Sequence, residues 1–161
     1  MKKRMLPYLM AASLFFGLSG CASADAPLTV TATFYPLYIA ALNIARDVEG
    51  VDVRCMAPPQ AGCLHDYQMT TADRRSLEDS AVVIMNGAGL EGFLDKLLPS
   101  LGAAVIDASE SVPLLPGRED GEAVNPHIWV SVGGMIAQVK NIAAGRAGAD
   151  PAHAAQYGFL C

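Results

Sequence analysis

Residues 28–56 read Leu-Thr-Val-Thr-Ala-Thr-Phe-Tyr-Pro-Leu-Tyr-Ile-Ala-Ala-Leu-Asn-Ile-Ala-Arg-Asp-Val-Glu-Gly-Val-Asp-Val-Arg-Cys-Met, and their hydrophobic period changes twice. Leu28 to Phe34 is rich in β-branched residues, which predicts a strand. From Tyr35 to Val48 the apolar positions fall at helical spacing: Leu37, Ala40, Ala41, Ile44, Ala45 and Val48. Gly50 ends that helix, and Val51 to Met56 is a second short strand. One strand–helix–strand unit of this length sets the expectation for everything that follows.

Downstream the alternation continues. Residues 58–62 (Pro-Pro-Gln-Ala-Gly) make a loop, and Thr70 or Thr71 caps a helix running to about Asp79. Ala81 to Met85 is a short buried strand, Leu90 to Leu98 is helical, and Ala103 to Ile106 is a fourth strand. This βαβαβαβ order predicts an α/β fold, an open and mostly parallel sheet with helices on both faces. Residues 108–125 form a long loop with Pro113, Pro116, Gly117 and Gly121; a loop that long inside a compact domain is usually functional or mobile. Pro126-His127-Ile-Trp129 then leads to a helix from Val132 to about Gly145. Asp150-Pro151 opens another, with proline at its first position.

The N-terminus carries its own signal. Lys2, Lys3 and Arg4 precede an apolar run from Met5 to Leu18, which closes on Leu18-Ser-Gly-Cys21. The run is shorter than the roughly 20 residues that a membrane span requires, so residues 1–20 read as an export signal. Small residues just before Cys21 favour a lipoprotein signal, with Cys21 as the acylated residue. The alternatives are an ordinary signal cut near Ala22 or Ala24, or an N-terminal anchor helix. Two or more acyl chains suffice for stable anchoring outside the cytoplasm. Residues 21–27 then form a flexible tether. The whole chain has a net charge of −5, and cleavage after residue 20 removes three basic residues and no acids. Such an acidic protein is a poor nucleic-acid binder. Cys55 and Cys63 are a candidate disulfide, tying the end of the second strand to its loop, with two reduced, partly buried thiols as the alternative. Cys161 has no evident partner.

Gly87-Ala-Gly89-Leu-Glu-Gly92 matches G-x-G-x-x-G after a strand, with Asp107 twenty residues beyond Gly87. On spacing this fits a dinucleotide fingerprint. Three points oppose it: Glu91 puts a carboxylate where a pyrophosphate would sit, Asp95 stands where helix packing wants a small residue, and an exported protein meets little nicotinamide cofactor. A tight strand-to-helix turn is the preferred reading.

Of three histidines, His65 follows the second strand and His127 follows the long loop after the fourth. Both fall beyond the carboxyl ends of parallel strands, where ligands of open α/β sheets bind. Two imidazoles brought together there suit Zn²⁺ and other borderline divalent metals. The spacing alone is weak evidence, since a lone histidine is more often a surface or hydrogen-bonded residue. His153 is expected to face solvent.

Four segments sharpen this reading: Thr33-Phe-Tyr-Pro-Leu-Tyr38, residues 58–67 (Pro-Pro-Gln-Ala-Gly-Cys-Leu-His-Asp-Tyr), residues 83–91 (Val-Ile-Met-Asn-Gly-Ala-Gly-Leu-Glu) and Asn125-Pro-His-Ile-Trp-Val130. In content and order the chain resembles the substrate-binding lipoproteins of bacterial zinc/manganese ABC transporters, the metal-binding adhesin family. The resemblance implies one lobe of a two-lobed, periplasmic-binding-protein-like fold with a helical backbone: residues 28–148 as the N-terminal lobe, and 149–161 as the truncated start of the lobe-connecting helix. It implies His65 and His127 as metal ligands, and the Asn-Gly-x-Gly-Leu-Glu turn as structural. The family's third and fourth ligands come from a second lobe, so half a site is expected here, with weak binding. Asp66 is a candidate to orient His65. The implied role is not enzymatic. It is capture of zinc or manganese, the choice left open, by a monomer tethered through Cys21 to the outside of the cell membrane, for delivery to an ABC permease. The alternatives are a surface adhesin with structural or no metal, and a non-functional truncated copy.

Overall fold

A computed structural model describes residues 26–61, 64–117 and 123–158. The expected export signal, Cys21, Cys63 and Cys161 lie outside the described residues. Four parallel strands form one sheet: β1 (Leu28–Phe34), β2 (Val51–Ala57), β3 (Val82–Met85) and β4 (Ala104–Asp107), in the order β2-β1-β3-β4. The register pairs Leu28 with Val51, Val30 with Val82 and Val82 with Ala104. β1 is central, and its Val30 to Phe34 are buried although Thr31 and Thr33 are polar. Both threonines are satisfied, Thr31 by Ser80 at 2.7 Å and Thr33 by Glu91 at 2.7 Å, as burial demands.

The helices are α1 (Tyr35–Ile44), α2 (Thr71–Glu78), α3 (Val132–Ala149) and α4 (Ala154–Gly158). From β1 the chain crosses to one neighbour and then back over it to the other. Right-handed crossovers therefore place α1 and α2 on opposite faces. α3 packs against β4 and β3 and also against α1, closing the α1 face. α2 begins with a capping box: the Thr70 hydroxyl accepts from the Asp73 N–H, and the Asp73 carboxylate accepts from the Thr70 N–H.

Three sequence expectations need correction. The helix expected from Tyr35 to Val48 stops at Ile44; Val48 is still buried, carried inward by a turn that bonds its N–H to the Ala45 carbonyl. The helix expected from Leu90 to Leu98 is a run of 3₁₀ turns, Gly92–Leu94 and Leu98–Ser100. Its N–H groups reach back three residues, from Leu94 to Glu91, Leu97 to Leu94 and Ser100 to Leu97. That three-residue period puts Leu94 and Leu97 inward together. The helix expected to end at Gly145 instead runs to Ala149. Gly145 is no terminator: a Cβ there would press on the Ile106 side chain at 2.8 Å, so the glycine lets α3 lie against β4.

Among the described residues no helix is long and apolar enough to cross a membrane.

Candidate metal centre

The order β2-β1-β3-β4 reverses direction between β1 and β3, and a crevice opens at the carboxyl ends of those strands. β1 delivers Thr33 and Phe34 to this edge, and β3 delivers Asn86 just past its last residue. The dinucleotide reading of Gly87–Gly92 fails here. Gly87, Ala88 and Gly89 all have positive φ, at 75°, 53° and 82°. That conformation folds Glu91 back under the turn. Its carboxylate accepts from the Asn86 N–H at 2.7 Å, the Gly87 N–H at 3.1 Å and the Thr33 hydroxyl at 2.7 Å. The protein's own acid therefore occupies the amides that a pyrophosphate would need. Glu91 is buried, and this loss of solvent holds its carboxyl above the usual range, against the pull of the three donors.

Asn86 links this turn to the histidine corner. Its side chain is fully buried, and Nδ2 donates to the carbonyls of Gly87 and Pro126, both at 2.9 Å. Its Oδ1 accepts from Gln138 Nε2 at 2.8 Å. The next residue after Pro126 is His127, which is half-buried. The Asn125 Oδ1 accepts from the His127 N–H at 3.0 Å and from Nδ1 of its ring at 2.9 Å. That oxygen can only accept, so in the neutral ring the proton sits on Nδ1 and the lone pair on Nε2, the tautomer a metal ligand needs. Trp129 lies tilted beside the ring, with centroids 5.2 Å apart, and also meets Phe34 edge-on at 4.8 Å. Ser131 then caps α3 by accepting from the Gly134 N–H at 3.0 Å. A Cβ at Gly134 would strike the Ile128 carbonyl, so this glycine lets the 3₁₀ turn Ile128–Val130 cross the helix start.

The other expected ligand, His65, sits on the 3₁₀ turn Leu64–Asp66 beyond β2. Leu64 and Trp129 line the same cleft, of about 220 Å³, together with Phe34, Ala57 and Pro58. The turn that carries His65 and the turn that follows His127 thus each lend a residue, Leu64 and Trp129, to one cleft. Asp66 is exposed. Cys55 carries a free thiol that donates to the Ala57 carbonyl at 3.0 Å, and burial pushes its pKa to about 11. Its expected disulfide partner, Cys63, lies outside the described residues. His153, expected to face solvent, is only partly exposed and bonds Asp150 Oδ2 through Nδ1 at 2.8 Å. Among the described residues no group of three or more His, Cys, Asp or Glu gathers in metal-binding geometry. Beside His127 the apolar side chains of Val130, Val132 and Ile136 stand exposed.

Asn86, Asn125, Glu91 and Gln138 had not been singled out as holding the site. Gln138 carried the clearest signal: it shares the inward helical spacing of Ile142 and Arg146 on α3, where a polar residue is conspicuous.

Residues 30–158 match the family profile described as the periplasmic component A of the zinc-uptake complex. The chain is 36% identical to the manganese-binding lipoprotein MntA of Bacillus subtilis over 159 residues, covering 91% of this chain and 51% of that protein. It is 33% identical to the iron-binding protein YfeA of Yersinia pestis, covering 80% of this chain and 41% of the relative. The Mn-bound periplasmic metal-binding protein of Candidatus Liberibacter asiaticus superposes with a TM-score of 0.70 at 28% identity, over 80% of this chain and 48% of its own. The chain thus spans about half the length of the relatives it matches.

Proposed function

This chain belongs to the family of periplasmic zinc-uptake components, and from that premise we propose that it captures a divalent transition metal outside the cytoplasm for an ABC transporter. His65 and His127 supply the donors from this lobe, each as a neutral imidazole. The metal is cargo, and no bond of it is made or broken by catalysis. Zinc, manganese and iron are all bound by relatives of this chain, by their names. Imidazole nitrogens suit each of them, in rising affinity from manganese through iron to zinc. Cys21 is the proposed site of lipid anchoring, which would keep the protein beside its permease.

The observation that carries this reading is the His127 corner. Its Nδ1 is committed to Asn125, and its backbone is held through Pro126 at the switch point of the sheet. A surface histidine has no need of such fixing. Zn²⁺ titration of the full chain against a competing chelator tests the proposal. Measurable binding that weakens about tenfold or more in both His65→Ala and His127→Ala is expected. Binding that survives both substitutions would sink it. Two histidines leave a four-coordinate ion half satisfied, so affinity for this chain alone is expected to be weaker than micromolar.

A further inference from the structure

Gln138 is wholly buried on α3, and its Oε1 has no hydrogen-bond partner among the described residues. An apolar side chain of similar size would fill the same space without stranding an amide oxygen. Its retention is better explained by the other end of the amide, where Nε2 donates to Asn86 Oδ1 at 2.8 Å. An asparagine amide can turn over, exchanging its oxygen for its nitrogen. A donor at one end forbids that exchange. The carbonyls of Gly87 and Pro126, which can only accept, hold Nδ2 at one end, and the Gln138 amide holds Oδ1 at the other, so the Asn86 amide is pinned from both sides.

We propose that Gln138 is a positioning residue for His127: it locks the Asn86 amide in the one orientation that holds the Pro126 carbonyl, and so fixes where the imidazole stands. The chain of contacts crosses three elements, from α3 to the end of β3 to the loop before the 3₁₀ turn at Ile128, with sequence separations of 52 and 40 residues. It reaches the ring through the backbone, so it sets geometry without touching the metal. The inference rests on the reading of His127 as a donor.

Gln138→Met in the full chain separates this role from a structural one. Methionine removes the stranded Oε1 but also takes the donor away from Asn86 Oδ1, so the melting temperature falls only slightly, by the net worth of about one hydrogen bond. Zn²⁺ affinity, measured by chelator competition, falls about tenfold, the lower end for partners that orient ligands. The ring resonances of His127 in ¹⁵N-edited NMR of the metal-free protein shift or broaden. A second variant, Gln138→Glu, places an acceptor against Asn86 Oδ1 and turns the amide over, with a larger loss of affinity than the methionine produces. Wild-type affinity in Gln138→Met, or a fall in affinity with the His127 ring resonances unmoved, overturns the proposal. His127→Ala run alongside distinguishes the failures. If it weakens binding while Gln138→Met does not, only the positioning role falls. If it leaves binding unchanged, the metal reading falls and takes this inference with it.

Discussion

Glu91, in the turn after β3, and Asp150, at the end of α3, are both carboxylates gripped by hydrogen-bond donors, yet the fold moves them in opposite directions. Glu91 is 1% exposed, and its partners are neutral: a hydroxyl and two backbone N–H groups. Desolvation prevails, and its carboxyl is held above the usual range. At Asp150 burial again pushes upward but is outweighed. Tyr157 donates to it at 2.5 Å, His153 at 2.8 Å, and the charges of His153 and Arg146 add to the pull, so its carboxyl falls below the usual range. At the deeply buried Glu91 desolvation wins, whereas at Asp150 the Tyr157 and His153 hydrogen bonds, helped by the neighbouring charges, outweigh it. The reach of the two networks differs as well. Glu91 joins β1 and β3 across 58 residues of sequence, whereas the Asp150 cluster lies wholly within residues 146–157. The first network secures the histidine corner; the second folds α4 back onto α3, with the Arg146 guanidinium 4.5 Å over the Tyr157 ring.

The comparison breaks most readily at Glu91. Glu91→Ala strands the Thr33 hydroxyl and two backbone N–H groups in the interior, and three unmet donors together cost at least about 3 kcal/mol. The urea midpoint should drop accordingly, and a change under 1 kcal/mol would mean that water replaces the carboxylate. Next in size is Gly87→Ala. Its Cβ would collide with the Asp107 carboxylate while φ is +75°, so about 2–3 kcal/mol is expected. Gly89→Ala is the matched control. It has a similar φ of +82° but open space around it, and only the left-handed penalty of about 1 kcal/mol applies. Equal losses in the two variants would show that backbone strain, not the collision, dominates this turn.

The difference in reach also explains what could be read from the sequence. β1, β2, β3 and β4 were legible because β-branched and apolar runs bounded by glycine and proline leave few options. The start of α2 was legible only as Thr70 or Thr71; the structure selects Thr70, whose partner Asp73 lies three residues on. The site was legible only as two histidines past strand ends. What holds the backbone beside His127 was hidden, since the bonds from Asn86 to Pro126 and Gln138 span 40 and 52 residues and no local pattern encodes them. Helix ends misled for a related reason. Gly145 reads as a stop in the sequence, but its lack of a side chain serves Ile106, a neighbour on another element.

Asp150 offers a smaller effect of distinctive sign. Its depressed value means that the stability it contributes is complete above the ordinary carboxyl range and is lost as pH falls through its folded value. Glu91, with a raised value, works the other way: its contribution grows as pH falls toward the ordinary carboxyl range, because the unfolded chain gives up its proton first as pH rises. Asp150→Asn should cost about 1 kcal/mol at neutral pH, from weakened bonds to Tyr157 and His153, and should flatten the acid limb of a stability–pH curve. Glu91→Gln should steepen that limb. Urea midpoints taken from pH 7 down to pH 3 measure both, and limbs that change in the same direction would undo the contrast.

The smallest effect isolates burial from hydrogen-bond count. Asp73 accepts three bonds, as Glu91 does: from the Thr70 N–H at 2.7 Å, the Thr70 hydroxyl at 2.8 Å and the Tyr67 hydroxyl at 2.9 Å. Unlike Glu91 it lies at an exposed helix start, where water can take over each donor. Asp73→Ala therefore loses only the cap, about 1 kcal/mol or less. It also frees the Tyr67 hydroxyl, whose pKa is held at about 12 by burial and by this bond, so the tyrosine should titrate at lower pH in the variant. Absorbance at alkaline pH reads that shift independently of stability. If Asp73→Ala proved as costly as Glu91→Ala, the number of bonds would set the cost of losing a carboxylate in this fold. If it costs a third as much or less, burial sets it, and the Glu91 turn beneath the histidine corner is the place where this lobe can least tolerate change.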